Sequence, residues 1–121
     1  MKKLLLTLAV LALTMSSLTA AAKKPVTVVH VVTIKWKAGT TPEQIASALK
    51  GAETVANTYK GITRIWTKAL KVQGAGYTHA IVMEFKNEKA LKDYTDSPAQ
   101  KDWYKIYLPL REESTTHDIT N

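Results

Sequence analysis

From Val26 to Trp36 the chain carries an apolar run that does not alternate with polar residues. At the two-residue period of a strand, Val28, His30, Val32, Ile34 and Trp36 share one face and Val29, Val31, Thr33 and Lys35 the other. Both faces are apolar from Val28 to Val32. A strand with one wet face alternates, whereas one that does not alternate is covered on both sides. Helices can cover one face in a chain this short. Something else must cover the second.

The rest of the pattern completes a β-α-β-β-α-α-β order. Thr41, Pro42 and Gln44 form a helix start with a capping box, and Ile45, Ala48, Leu49, Ala52, Val55, Ala56 and Tyr59 continue as one helical stripe. Gly61 is expected to end that helix as a left-handed cap. A second strand is predicted over Ile62 to Leu70, with Ile62, Arg64, Trp66 and Lys68 on one face and Ile65 and Ala69 on the other. The connection Gln73-Gly74-Ala75-Gly76 is too long for a tight hairpin. A third strand, Tyr77 to Phe85, turns Tyr77, His79, Ile81, Met83 and Phe85 to one side. Asn87 caps a short helix bearing Ala90, Leu91 and Tyr94. Ser97-Pro98-Ala99-Gln100 repeats the first helix start and opens a helix with Trp103, Tyr104, Tyr107 and Leu108 on one side, which Pro109 ends. Thr115 to Thr120 reads as a short, polar last strand.

Residues 1–22 stand outside this pattern. A basic start, Met1-Lys2-Lys3, precedes Leu4 to Met15, apolar apart from Thr7 and Thr14. That run has the length of a signal-peptide core and is too short to span a bilayer. Ala20-Ala21-Ala22 supplies the small residues of a cleavage site, placed after Ala22 with Ala20 and Ala21 as alternatives. The division is therefore a signal peptide, 1–22, and one domain, 23–121. It implies a periplasmic or secreted protein that keeps no membrane segment after processing.

Composition sharpens this in two ways. There is no cysteine, which excludes disulfides, thiolate metal sites and cysteine nucleophiles. The formal charge of +7 falls to +5 once Lys2 and Lys3 are removed. The lysines are scattered without a run or stripe, so the charge reads as a solvated surface and not as a nucleic-acid footprint.

The order of landmarks resembles the stress-responsive A/B barrel (Dabb) family. Val29-His30-Val31-Val32, Thr41-Pro42-Glu43-Gln44, Gly61-Ile62, Gly76-Tyr77-Thr78-His79-Ala80, Asp93-Tyr94, Ser97-Pro98-Ala99 and His117-Asp118-Ile119 carry the likeness, which runs from about Val26 to Ile119. The resemblance implies an α+β, ferredoxin-like subunit: a four-stranded antiparallel sheet with helices on one face, pairing as a dimeric α/β barrel. A second copy would supply the missing cover for the first strand.

Family members of known chemistry include a plant polyketide cyclase with a cofactor-free histidine and tyrosine pair in a pocket between sheet and helices. The resemblance places His30, His79 and Tyr94 at pocket positions. The family segment Asp-Tyr-x-x-His-Pro-x-His, whose last histidine is the cyclase's base, reads here Asp93-Tyr94-Thr95-Asp96-Ser97-Pro98-Ala99-Gln100. A glutamine amide does not titrate in the working range and orients a substrate without taking its proton. Gln100 also stands where a capping box wants it. The candidate pocket is His30, His79, Tyr94, Gln100 and Trp66. His30 and His79, on strands expected to be neighbours, read either as a polar pair lining that pocket or as two hydrogen-bonded core residues. They lack a third ligand for a metal, since His117 and Asp118 point opposite ways on the last strand.

The expectation is a non-catalytic homodimer, without cofactor or metal, that holds a small apolar or aromatic molecule. The alternative is a cofactor-free cyclase, isomerase or monooxygenase-like enzyme with a rearranged His/Tyr site.

Overall fold

The computed structural model describes residues 21–121; residues 1–20, and with them most of the expected signal peptide, lie outside the described residues. The elements run β1 (Val28–Trp36), α1 (Pro42–Thr58), β2 (Ile62–Trp66), β3 (His79–Phe85), α2 (Glu88–Tyr94), α3 (Pro98–Tyr107) and β4 (Arg111–Ile119). The four strands form one antiparallel sheet in the order β2-β3-β1-β4, with β1 inside it.

The helices start where the local chemistry dictates. Thr41 accepts the Gln44 N–H at 3.2 Å and the Gln44 side chain accepts the Thr41 N–H at 2.9 Å, closing the capping box of α1. Asn87 caps α2 by accepting the Ala90 N–H at 2.8 Å. The side chain of Ser97 accepts the Gln100 N–H at the start of α3. The Gln100 side chain departs from the expected box: its oxygen accepts the Asp96 N–H at 2.7 Å, one residue earlier, because the Ser97 N–H is already bonded to the Tyr94 carbonyl.

All three helices lie on one face of the sheet, over a core of Val28, Val32, Ile34, Trp36, Ile62, Ile81, Met83 and Phe85. Helix α1 offers small residues at the contact, Ala48 and Ala52, so α3 approaches closely. Trp103 fills that approach and donates its indole N–H to the Ala48 carbonyl at 2.9 Å. Gly51 is part of the same fit, since a Cβ there would sit 2.7 Å from the Trp103 ring. A mid-helix glycine costs about 1 kcal/mol against alanine, and the indole against it explains the choice.

Gly61 does not act as a left-handed cap. Helix α1 ends at Thr58, and extended Tyr59 (φ −92°, ψ 108°) closes it. Gly61 is required by close packing instead, because a Cβ there would meet the Tyr59 ring at 2.5 Å.

Strand β2 is shorter than expected and contains a bulge between Ile62 and Arg64. A bulge sets two residues against one and resets the alternation. Ile62 and Ile65 therefore both serve the helix side, while Arg64 and Trp66 face away with their partners Glu84 and Val82. Strand β4 is longer than expected. It begins at Arg111 because its backbone pairs with β1 along the whole edge, whatever the polarity of its side chains.

The face away from the helices carries Val29, Val31 and Thr33 on β1, Ala80, Val82 and Glu84 on β3, and Ile119 and Trp66 on the edges. Among the described residues no element covers it. Trp66 is 45% exposed and Ile119 58%. On this face Arg64 donates from Nε at 3.1 Å and from Nη2 at 2.6 Å to one oxygen of Glu84, and Thr63 donates to the other at 3.2 Å. The Arg64 hydrogen bond and charge hold the Glu84 carboxyl below its ordinary value of 4.5, against an opposing effect of burial. A depressed folded-state value stabilises the fold above the unfolded value, and the contribution is lost as pH falls through the folded one. Urea denaturation across about pH 3 to 6 should show stability falling at the acid end, with a shallower fall in Glu84→Gln. An identical acid limb in both proteins would show that this carboxylate contributes nothing.

Candidate active site or binding cavity

Strand β4 explains why a cavity exists. Ser114, Thr116 and Asp118 lie opposite Ile34, Val32 and His30 of β1, so they share the helix-side face. They are too polar to join the apolar core. The result is a cavity of about 430 Å³. Its floor is His30 and Val32 of β1 with Ile81 and Met83 of β3. Its roof is Leu91 and Tyr94 of α2 with Gln100, Trp103, Tyr104 and Tyr107 of α3. Ser114, Thr116 and Asp118 of β4 line its remaining side. Aromatic and aliphatic walls with a few converging polar groups are the usual make-up of a small-molecule site.

The five residues singled out from the sequence separate into two groups. His30, Tyr94 and Gln100 line the cavity, and His79 and Trp66 do not. Trp66 was sent to the opposite face of the sheet by the bulge in β2, where it packs beneath the Arg64 guanidinium, 5.4 Å from ring centroid to Cζ.

His30 and His79 are not close, although their strands are neighbours. The register sets His30 against Met83 and His79 against Ile34, four residues apart along the ladder. At about 3.4 Å per residue that is roughly 14 Å. His79 is tied into the fold: its Nδ1 accepts the Trp36 indole N–H at 2.9 Å and lies 2.8 Å from the Thr78 hydroxyl. Trp36 in turn packs edge-on against Tyr107, whose ring stacks on Trp103 at 4.5 Å.

The partner of His30 is Asp118. Their side chains meet across the β1–β4 pair, Nδ1 to Oδ1 at 2.5 Å. Asp118 was set aside in the sequence because it points away from His117. Pointing away from His117 is what brings it to His30. The signal was present in the alternation Ser114, Thr116, Asp118, hidden because the strand was read as starting at Thr115. An ionised carboxylate only accepts, so Nδ1 carries the shared proton, and in the neutral ring Nε2 then holds the lone pair. His30 is also held edge-on by Phe85, with centroids 6.0 Å apart.

Three phenols complete the site. Burial pushes Tyr94 well above its ordinary value, with Tyr104 adding to the rise and Gln100 opposing it. Burial likewise raises Tyr104 and Tyr107. All three are therefore neutral O–H groups at ordinary pH. Gln100 is 7% exposed and spans the roof, accepting the Asp96 N–H and donating to the Tyr104 hydroxyl at 3.2 Å. Asp96 sits at φ 64° in the turn between α2 and α3, so the amide also holds a strained backbone position. Chemically the cavity offers an oriented imidazole, neutral phenols and an amide around apolar walls. Among the described residues no three His, Asp or Glu side chains gather to hold a metal ion.

A ferredoxin-like α+β fold with one cavity wall left to a polar edge strand defines the class of protein. The profile of the stress-responsive A/B barrel domain matches residues 28–121, and the chain belongs to that family. The stress-response A/B barrel domain-containing protein HS1 of Arabidopsis thaliana is 30% identical over 90 residues, covering 72% of this chain and 81% of that one. Among solved structures, a hydroxynitrile lyase from Passiflora edulis superposes with a TM-score of 0.71 at 18% identity, over 78% of this chain and 93% of that one. A dimeric ferredoxin-like protein of unknown function from Bacteroides fragilis gives 0.66 at 19% identity, over 82% of this chain and all of that one, 100%. The family and the ferredoxin-like fold expected from the sequence are thus those found.

The His30–Asp118 contact makes a prediction. In the native protein the His30 ring should hold one neutral tautomer, protonated at Nδ1, readable from its two ring ¹⁵N shifts. Asp118→Asn presents an amide that can accept or donate, and should mix the two tautomers. An unchanged ¹⁵N pattern would mean that Asp118 does not orient the ring.

Proposed function

We propose that this chain is exported and works as a homodimer that binds a small, flat, largely apolar molecule in the cavity between sheet and helices. One observation carries the binding reading: a cavity of about 430 Å³ walled by aliphatic and aromatic side chains, with few polar groups converging on it. That volume lies within the ~300–1,000 Å³ range of drug-sized ligand sites. The homodimer rests on the uncovered apolar face of the sheet, and the dimeric Bacteroides fragilis relative is consistent with it. Export rests on the basic, apolar and small-residue sequence of positions 1–22. Once the leader is removed, no membrane segment or nucleic-acid surface enters this reading. Among the described residues no helix is long and apolar enough to cross a membrane.

A second reading is favoured by one contact. His30, oriented by Asp118 and set in the cavity wall, is built as a general base or acid without any cofactor. The resemblance to a hydroxynitrile lyase fits such use, at the level of fold alone. Gln100 stands where the family pattern has its catalytic histidine and supplies no proton transfer. Catalysis would therefore fall to His30 with a neutral phenol such as Tyr94.

Native mass spectrometry of the protein purified from its own host's exported fraction tests the first reading. The expected result is a chain beginning at Lys23 that carries a small molecule, released on denaturation. An unprocessed chain of 121 residues found inside the cell would contradict export. An empty protein that takes up no flat apolar probe would contradict binding. The readings separate at His30: His30→Gln should leave affinity within about threefold if the site only binds, and should abolish turnover of the released molecule if it catalyses.

A further inference from the structure

The cavity is not evenly polar, and its two ends differ in charge. Asp118 lies on its wall opposite His30, and Glu88 follows Phe85, whose partner on β1 is Val28. Both carboxylates therefore belong to the end where β1 starts. Each has a nearby cation or donor: His30 holds Asp118, and Lys92 stands one helical turn beyond Glu88 on α2. The far end, toward Trp36, belongs to Arg111. From Ser114 to Asp118 is four residues along β4, roughly 13 Å.

Arg111 forms no ion pair among the described residues. Its Nη1 reaches the Ser114 hydroxyl at 3.3 Å, and its guanidinium lies over the Tyr107 ring at 5.6 Å. The Tyr107 hydroxyl is sealed from the cavity, in a residue only 2% exposed. Its polar neighbours are Ser114 and Arg111. The unpaired guanidinium fork and the Ser114 hydroxyl on the cavity wall make a donor set for a planar oxyanion, and a single arginine suits a carboxylate.

Resting on the binding reading above, we propose that the cavity selects an aromatic carboxylic acid. The carboxylate seats against Arg111 and Ser114, and the ring extends past Met83 toward the His30–Asp118 end. The contact at Arg111 is ionic, and the Ser114 hydroxyl adds a hydrogen bond. The molecule is thereby oriented, with its far end presented to the imidazole.

Calorimetric titration with 2-naphthoic acid and 2-naphthamide tests this, because the two probes match in size and differ in charge. The acid should bind the native protein at least about tenfold more tightly than the amide. In Arg111→Gln the two should fall within about threefold of each other, while Arg111→Lys should retain part of the preference. Equal binding of both probes to the native protein overturns the proposal and leaves the cavity reading standing. Preference for the acid undiminished in Arg111→Gln also overturns it. Binding of neither probe sinks the cavity reading and this inference with it. The native comparison needs no variant, so a poorly folded Arg111→Gln does not remove the test.

Discussion

Strand β1 has two apolar faces, and the rest of the structure is arranged around covering them. On one side Val28, Val32, Ile34 and Trp36 are buried beneath the helices. On the other, Val29 and Val31 lie between Ile119 and Val82, with Trp66 beyond, and nothing described covers them. Burying a valine side chain fully is worth about 1.5–3 kcal/mol, and Val29, Val31 and Val82, already partly buried, forgo a share of that while this face stays wet. The second copy we propose removes that cost without lengthening the chain.

The same economy creates the cavity. The helices pack on β2 and β3, and β4 stands at the far edge of the sheet. An apolar β4 would collapse against them. Ser114, Thr116 and Asp118 keep that wall polar and so keep the space open. Function then follows from placement. The strand that fails to join the core supplies the aspartate beside His30 at one end, and the serine and arginine beside Tyr107 at the other.

Much of this was legible in the sequence, and the gaps have physical causes. Caps and proline positions located the helix starts, because capping is local chemistry read from three or four residues. The two-sided run in β1 showed its central place. The bulge in β2 was invisible, since nothing in Ile62-Thr63-Arg64 marks an extra residue, and one unpaired position exchanged the faces of Arg64 and Trp66. The separation of His30 from His79 depends on register, which is fixed across the sheet by packing and not by either strand alone. Asp118 was missed because the strand was read as starting at Thr115, which hid the alternation that sets it opposite His30, 88 residues away in the chain. Gly51 gave a sign, a glycine inside a strong helical stripe, but only Trp103 explains it.

Assembly is the point on which this account turns, and sedimentation velocity measures it most directly. At micromolar concentration the chain from Lys23 onward should sediment as a dimer. Val31→Asp, which sets a charge at the centre of the uncovered face, should shift it to monomer with loss of stability. A native protein that sediments as a stable, fully folded monomer would contradict the account, because β1 would then keep its second apolar face in water at no cost.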